Sequence, residues 1–308
     1  MIDILMATYN GEEYISAQVD SLLAQSCMDW QLIIRDDGST DRTPSICRQY
    51  TAQHSGRFRI IEDALGNLGV NKNYETLLKH SGSDYVMFCD QDDIWLPDKI
   101  AVTYAKMIEA EAMWGTNIPI VVYTDAKMVD KKLEVISNSF FSYTHRKPNT
   151  DNSLSAMCMA NCTIGCTMML NRKFRSLFSG FPDAILIWDW WLGMMAVTFG
   201  RLVFLSQATM LFRRHGRNES TVRKFGIFSY FKKRNLIKKS RERLYAIFRS
   251  HRIFYETFRD LLGPAKRQCF EEISSIPSRN WIMRRYLILK HRLFKTGFVK
   301  TLGMLLVV

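Results

Sequence analysis

Polar clusters directly behind short apolar runs constrain the fold of this chain more than any other feature. Ile2–Ala7 reads as a buried strand and is followed by Thr8-Tyr9-Asn10. Gln31–Arg35 leads into Asp36-Asp37-Gly38-Ser39, and Tyr85–Cys89 into Asp90-Gln91-Asp92-Asp93. Helical periods fill the intervals: Glu13–Gln25 with Ile15, Val19, Leu22 and Leu23, a helix near Pro44 capped by Thr40-Asp41, and Asn71–His80. Phe58–Glu62, Ile120–Tyr123 and Met168–Leu170 complete the expected strands. Strands separated by helices at this spacing predict an α/β fold, a mostly parallel sheet with helices on both faces. Ligands of such sheets lie beyond the carboxyl ends of the strands, where all three polar clusters fall.

Composition sharpens the division of labour. The chain has 308 residues, 47% of them apolar, enough for a substantial core. Its formal charge of +12 is uneven: residues 222–308 hold 21 Lys/Arg against 5 Asp/Glu, while residues 1–221 hold 21 against 25. A body spanning residues 1–221 therefore carries a basic extension spanning 222–308, in which Trp281–Phe298 mixes apolar and basic residues at helical intervals. No stretch reaches the roughly 18–20 uncharged apolar residues of a membrane span. The first residues have no basic segment or cleavage site, so no secretory signal is expected. Cys158, Cys162 and Cys166 recur every four residues and are expected on one helical face, as thiols in an apolar segment rather than a metal cluster. A reduced, cytoplasmic protein is the default.

Two carboxylates one residue apart, Asp90 and Asp92, leave a strand and can converge on Mg²⁺ or Mn²⁺, hard cations that bridge to a diphosphate. A Walker loop and a dinucleotide-binding glycine motif are both missing from the sequence, which turns the reading away from kinases, ATPases and dehydrogenases.

Seven blocks over about residues 1–220 resemble glycosyltransferase family 2, the inverting enzymes of GT-A fold. They are Ala7–Glu12, Arg35–Asp41, Gly66–Gly69 with Asn73, Cys89–Trp95, Gly165–Thr167, Trp188–Trp191 and Arg213–Asn218. Asp-Gln-Asp-Asp-Ile-Trp and Asp-Trp-Trp look most like the rhamnosyltransferase branch that builds bacterial surface polysaccharides. The resemblance implies that Thr8, Tyr9, Glu12 and Asp37 hold the nucleoside, with Asn67 and Lys72 near base and phosphates. It gives Asp90 to the ribose or to the metal through water, and Asp92 to the metal directly, with His215 as a further metal or diphosphate contact. Arg213 and Arg214 would neutralise the leaving diphosphate. Asp189 would be the general base, opposite the leaving group, among Trp188, Trp190 and Trp191, whose faces suit an acceptor sugar.

Each role has a plainer rival. The rival for Asp189 is a helix cap or a buried salt-bridge partner, for Lys72 a surface residue, for Asp93 a support, and for Asp125, expected just beyond the strand Ile120–Tyr123, a turn cap against an acceptor contact. The expected reaction moves L-rhamnose from dTDP-rhamnose to a hydroxyl of a lipid-linked glycan. A UDP-hexose donor is the first alternative, and a non-catalytic carbohydrate- or nucleic-acid-binding protein the second. For the basic extension the chemistry of the body selects an anionic membrane surface over nucleic acid. Phe225–Phe231 would insert and Lys232–Arg243 would face lipid headgroups, giving a peripheral protein on the inner face of the membrane.

Overall fold

A computed structural model describes residues 1–216, 233–295 and 298–308. The chain runs β1 (Ile2–Thr8), α1 (Ile15–Leu23), β2 (Trp30–Asp36), α2 (Thr43–Gln53), β3 (Phe58–Ile60), α3 (Gly69–His80), β4 (Tyr85–Asp90), β5 (Ile94–Trp95) and α4 (Lys99–Trp114). It continues through β6 (Ile120–Val129), β7 (Val135–Ser137), α5 (Phe140–Thr144), α6 (Leu154–Met159), β8 (Met169–Leu170), α7 (Arg172–Leu177), α8 (Trp188–Phe199) and β9 (Arg201–Arg213). The basic extension forms α9 (Lys233–Phe258), α10 (Pro264–Ser275), α11 (Trp281–Lys290) and α12 (Phe298–Val307).

One sheet organises the body, in the order β3-β2-β1-β4-β8-β6-β9-β5, with β7 on the flank of β6. β3, β2, β1 and β4 are mutually parallel, as are β6 and β9. β8 runs antiparallel to both of its neighbours, and β5 to β9. β1 and β4 are buried on both faces, which is why they read as continuous apolar runs rather than as alternation. Each fully buried Ile, Leu or Met contributes about 1.5–3 kcal/mol relative to exposure. Register matters more than strand count here: Thr8 pairs with Asp36 and Ala7 with Asp90, so three carboxyl ends finish side by side.

Two expectations are corrected. The strand starting at Ile120 does not stop at Tyr123 but continues to Val129 through an irregularity at Thr124–Asp125. Asp125 therefore lies inside β6, where Oδ1 accepts the N–H groups of Ala126 and Phe140. The three cysteines do not share a helical face. α6 ends at Met159, Cys162 follows in an extended segment, and Cys166 sits in a 3₁₀ turn. Asn161 accounts for the break, since its Oδ1 takes both the N–H and hydroxyl of Thr163, a local alternative to helix.

The extension packs into the body's own core. Leu244, Phe248, Phe254 and Phe258 of α9 join the same apolar cluster as the sheet. Trp191 of α8 meets Phe254 edge-on at 5.1 Å, and Phe254 stacks on Phe270 of α10 at 4.9 Å. Among the described residues no helix is long and apolar enough to cross a membrane. Phe225–Phe231 and Lys232 lie outside the described residues.

Candidate active site

The three polar clusters are stitched to one another by side chains. Thr8 Oγ1 donates to Asp36 Oδ1 at 2.8 Å, and Asp36 Oδ2 accepts the Ser39 N–H. Gln91 bonds the Tyr9 backbone twice, accepting its N–H at 2.9 Å and donating to its carbonyl at 2.8 Å. A Cβ at Gly11 would overlap the Gln91 amide, so that close approach needs glycine. Asn10 takes φ 47° and its side chain accepts the Thr40 N–H. The result is a loop tier fixed before any ligand arrives.

The acids behind that tier divide into two groups. Asp90 Oδ1 accepts from the Tyr74 hydroxyl at 2.6 Å. Burial, then the charge of Asp92, push its pKa up to about 6, with Asp189 adding to the rise and Tyr74 and Cys166 opposing it. Asp93 is held well above the usual carboxylate range by burial and by Asp92 and Asp90. Its Oδ1 accepts the Arg213 N–H, while Oδ2 has no hydrogen-bond partner. Ligand atoms of Asp90, Asp93 and Cys166 lie within 4.8 Å of one another. The Cys166 thiol is raised by burial and by the charges of Asp93 and Asp90. Asp92 stands apart, with Oδ2 2.7 Å from Nε2 of His215, whose ring stacks on Tyr14 at 4.8 Å. Asp90 and Asp93, both resisting ionisation, together with an orphaned oxygen on Asp93 and a nearby imidazole, are a donor set that a hard divalent cation would relieve. By contrast Asp3, buried at the opposite edge of the sheet, is saturated by Ser81, Ser83, Gly82 and Gln31.

From the acids a line of contacts runs to Asp189. The Tyr74 ring, whose hydroxyl holds Asp90, lies 4.3 Å from the Trp188 ring, which also packs on Phe88. Trp188 opens α8, and its N–H is held by Asn71 Oδ1 at 2.9 Å. Asp189 follows, 8% exposed, accepting the Trp190 N–H at 2.8 Å. Burial raises its pKa, against hydrogen bonds from Asn161, Trp190 and Gly165 and the charge of Arg146.

The chain as a whole has counterparts among known proteins. The sequence model of glycosyl transferase family 2 matches residues 3–178, more than half of the chain. The chain belongs to that family. Among relatives, it is 29% identical over 227 residues to the dTDP-rhamnosyl transferase RfbG of Shigella flexneri, covering 70% of this chain and 73% of RfbG. It is 29% identical over 189 residues to WfgD of Escherichia coli, described as a UDP-Glc:alpha-D-GlcNAc-diphosphoundecaprenol beta-1,3-glucosyltransferase, covering 59% of this chain and 64% of WfgD. Among solved structures, S. aureus TarS 1-349 in complex with UDP-GlcNAc superposes with a TM-score of 0.60 at 17% identity, over 89% of this chain and 70% of TarS. The mannosyltransferase PcManGT of Pyrobaculum calidifontis, in complex with GDP-Man and Mn²⁺, gives 0.53 at 14% identity, over 94% and 73%. The GT-A fold anticipated from the motifs is the fold observed.

Within this family 2 glycosyltransferase, the residues singled out by sequence sit as follows. Asp37 is 3% exposed, with Oδ1 taken by Arg35 and the Leu68 N–H and Oδ2 by the Gly69 N–H. It thereby fixes the loop that carries the exposed Asn67. Glu12 accepts from the backbone and side chain of Arg42, and Tyr9 is exposed. Lys72 Nζ is held by Glu75, Asp183 and the Phe181 carbonyl, in the first turn of α3. Arg213 donates to the carbonyls of Asp92 and Lys131 and covers Tyr14, and Arg214 donates to the Tyr143 hydroxyl. Trp190 Nε1 donates to the Met157 carbonyl from a half-buried ring. Trp191 is buried against α9, so it packs the body rather than meeting an acceptor. Arg217 and Asn218 lie outside the described residues. Sequence reasoning passed over Tyr74, Asn71 and Asn161, which join or orient the two halves of the site. Tyr74 sits on the apolar face of α3 and carries no motif, so only its contacts reveal it.

Proposed function

We propose that this protein transfers L-rhamnose from dTDP-rhamnose to a hydroxyl of a lipid-linked bacterial surface glycan, with inversion at the anomeric carbon. The observation that supports the reading is the line Asp90–Tyr74–Trp188–Asp189, which joins the acidic cluster to a buried carboxylate through packed side chains. Asp189 takes the acceptor hydroxyl proton as that oxygen bonds to the anomeric carbon, and the bond to the diphosphate oxygen breaks, releasing dTDP. Trp188, buried against Tyr74 and Phe88, fixes the carboxylate from the core side rather than meeting an acceptor, and the half-buried Trp190 gives the acceptor an apolar wall. Thr8, Tyr9, Glu12, Asp37 and Asn67 shape the nucleoside pocket, while Arg213 and Arg214 stand beside the leaving group; Lys72, engaged by Glu75 and Asp183, acts through the loop at Phe181. Asp92, Asp90 and His215 would hold Mg²⁺ or Mn²⁺, which supplies charge neutralisation at the departing diphosphate when bound.

The basic extension, residues 222–308, serves as a peripheral anchor on the cytoplasmic face of an anionic membrane. Support comes from α11, where Ile282, Tyr286 and Leu289 share a face and are 72%, 55% and 55% exposed. Because α9 packs on Trp191, the extension works as part of the catalytic body.

A panel of dTDP- and UDP-sugars, read by release of the nucleoside diphosphate, tests the donor. Turnover with dTDP-rhamnose is expected. Turnover with UDP-hexoses alone would favour the second reading, which the name of WfgD supports. Tight donor binding without turnover on any glycan acceptor would favour a binding protein.

A further inference from the structure

Cys269 and Glu272 stand three residues apart on one face of α10, and His291 caps the end of α11. α11 closes in a full Schellman motif. Arg292 takes φ 51°, its N–H reaches the Leu289 carbonyl at 3.1 Å, and the Leu293 N–H reaches the Ile288 carbonyl at 2.9 Å. Ile288 and Leu293 are both fully buried, so the turn is pinned to the core and holds the His291 backbone in place.

The imidazole joins two side chains of α10. Nδ1 of His291 lies 3.4 Å from Cys269 Sγ, and Nε2 lies 2.7 Å from Glu272 Oε2. Glu272 is held in turn by Lys290 through both oxygens and by Gln268 through Oε1. Lys290 first, then His291 and Gln268, bring its pKa down to about 2 against burial, so it is a carboxylate that only accepts. A neutral imidazole there donates to Glu272 from Nε2 and turns the Nδ1 lone pair to the thiol. Each nitrogen serves one partner, so the three groups form a relay rather than a cluster closing on an ion. Nucleophile, base and orienting carboxylate in this sequence suit acyl transfer to sulfur. Burial and the charge of Glu272 raise the Cys269 pKa, with Lys290 opposing, so the resting thiol is neutral and needs a base during attack. Cys269 is only half-buried, as is Cys27, while the other five thiols are buried.

The surroundings select the electrophile. Exposed Tyr286 and Leu289 lie on the helix that His291 caps, with exposed Phe294 just beyond it. Residues 222–308 around them hold 21 Lys/Arg against 5 Asp/Glu. Apolar surface in a basic field suits a molecule that carries an apolar chain on a phosphate-bearing group.

We propose that Cys269, His291 and Glu272 form a thiol acylation site, which takes a long-chain acyl group from a phosphate-bearing acyl thioester. The Cys269 sulfur bonds to the acyl carbonyl carbon while its proton passes to Nδ1 of His291. The bond from that carbon to the carrier sulfur breaks, and the carrier thiolate leaves with the proton from His291. The products are an acyl thioester on Cys269 and a free carrier thiol. The acyl chain adds a second membrane signal beside α11. None of the three residues belongs to the sugar-transfer site, so the proposal stands or falls apart from it.

The test incubates the full chain with palmitoyl coenzyme A below its micelle concentration and follows acyl groups by intact mass and peptide mapping. One hydroxylamine-labile acyl group is expected on Cys269, formed at least about tenfold faster than on Cys27, the other half-buried thiol. That comparison is made within one folded molecule and needs no variant. His291→Gln should slow acylation of Cys269 by about 10²-fold and Glu272→Gln by about tenfold, with Cys27 unchanged in both. Equal rates at Cys269 and Cys27 in the wild type overturn the proposal. Rapid alkylation of Cys269 by iodoacetamide without acyl transfer from palmitoyl coenzyme A overturns the acyl assignment. Acylation at the wild-type rate in His291→Gln removes the base and the relay with it.

Discussion

Nε2 of His215 lies 2.7 Å from Oδ2 of Asp92, joining the end of β9 to the acidic turn after β4. The Tyr14 ring stacked on the imidazole limits its rotation. On the proposed reading, a carboxylate and an imidazole so arranged would offer an oxygen and a nitrogen to one cation. Asp92→Ala is expected to weaken Mn²⁺- or Mg²⁺-dependent dTDP binding by about tenfold or more, with His215→Ala milder. Calorimetric titration of dTDP with and without metal is the measurement. Metal-dependent affinity unchanged in Asp92→Ala would exclude that carboxylate as a ligand.

Acidity gives the same pocket a second signature. Burial and the charge of Asp92 push the Asp90 pKa up to about 6. Protonation removes a potential ligand, so metal affinity should fall as pH drops through about 6. Titrations of Mg²⁺ at several values on either side should reveal the slope, and a flat profile would mean that Asp90 takes no part.

Asp189→Asn keeps the shape of the side chain and deletes the base. Turnover is expected to fall by about 10²–10⁴-fold while donor KM stays near wild type. Since burial raises the Asp189 pKa, wild-type kcat should rise with pH along a limb set above the ordinary carboxylate value, and the variant should lack that limb. Stability runs the other way. An acid whose folded pKa is raised binds more protons folded than unfolded, so its contribution declines as pH rises through that window. The variant's melting temperature should therefore gain on wild type between acidic and neutral pH. Wild-type turnover in Asp189→Asn would place the base elsewhere.

Much of the placement of these residues is legible in the sequence, for a definite reason. Thr8, Asp36 and Asp90 end strands that announce themselves as apolar runs, and parallel register then aligns those ends without further information. The strand reading failed where burial pattern and boundary part company: β6 absorbs Asp125 because that carboxylate satisfies two backbone N–H groups, which no periodicity encodes. Tyr74 was silent for another reason: it acts through Asp90, which belongs to another element, and tertiary contact alone gives it meaning.

Gly165 tests the packing that holds the base. A methyl group there would overlap the Trp188 ring and come within 3.0 Å of Asp189 Cβ, with neither neighbour free to yield. Gly165→Ala should cost about 1–3 kcal/mol of stability through overpacking, and should lower kcat more than it raises donor KM. Thermal melts and steady-state kinetics check both. A variant with wild-type melting and kcat would show that the Trp188–Asp189 turn tolerates displacement.

The exposed stripe on α11 makes the membrane reading testable. Ile282, Tyr286 and Leu289 follow an i, i+4, i+7 spacing on the face opposite the buried Ile288. Arg285 flanks them, stacked over Trp281 at 3.8 Å, with the exposed Arg292 just beyond the helix. Apolar side chains rimmed by arginines suit the boundary between acyl chains and anionic headgroups. Wild-type protein should co-sediment with phosphatidylglycerol vesicles, only weakly with phosphatidylcholine, and should be partly released by about 0.5 M NaCl as screening removes the electrostatic share. Replacing all three residues by Asp should leave the protein in the supernatant while nucleotide binding persists, because none of them touches the site at Asp92. Undiminished sedimentation of that variant would move the contact off α11, and a wild-type dimer that the triple variant abolishes would assign the stripe to a second copy of the chain.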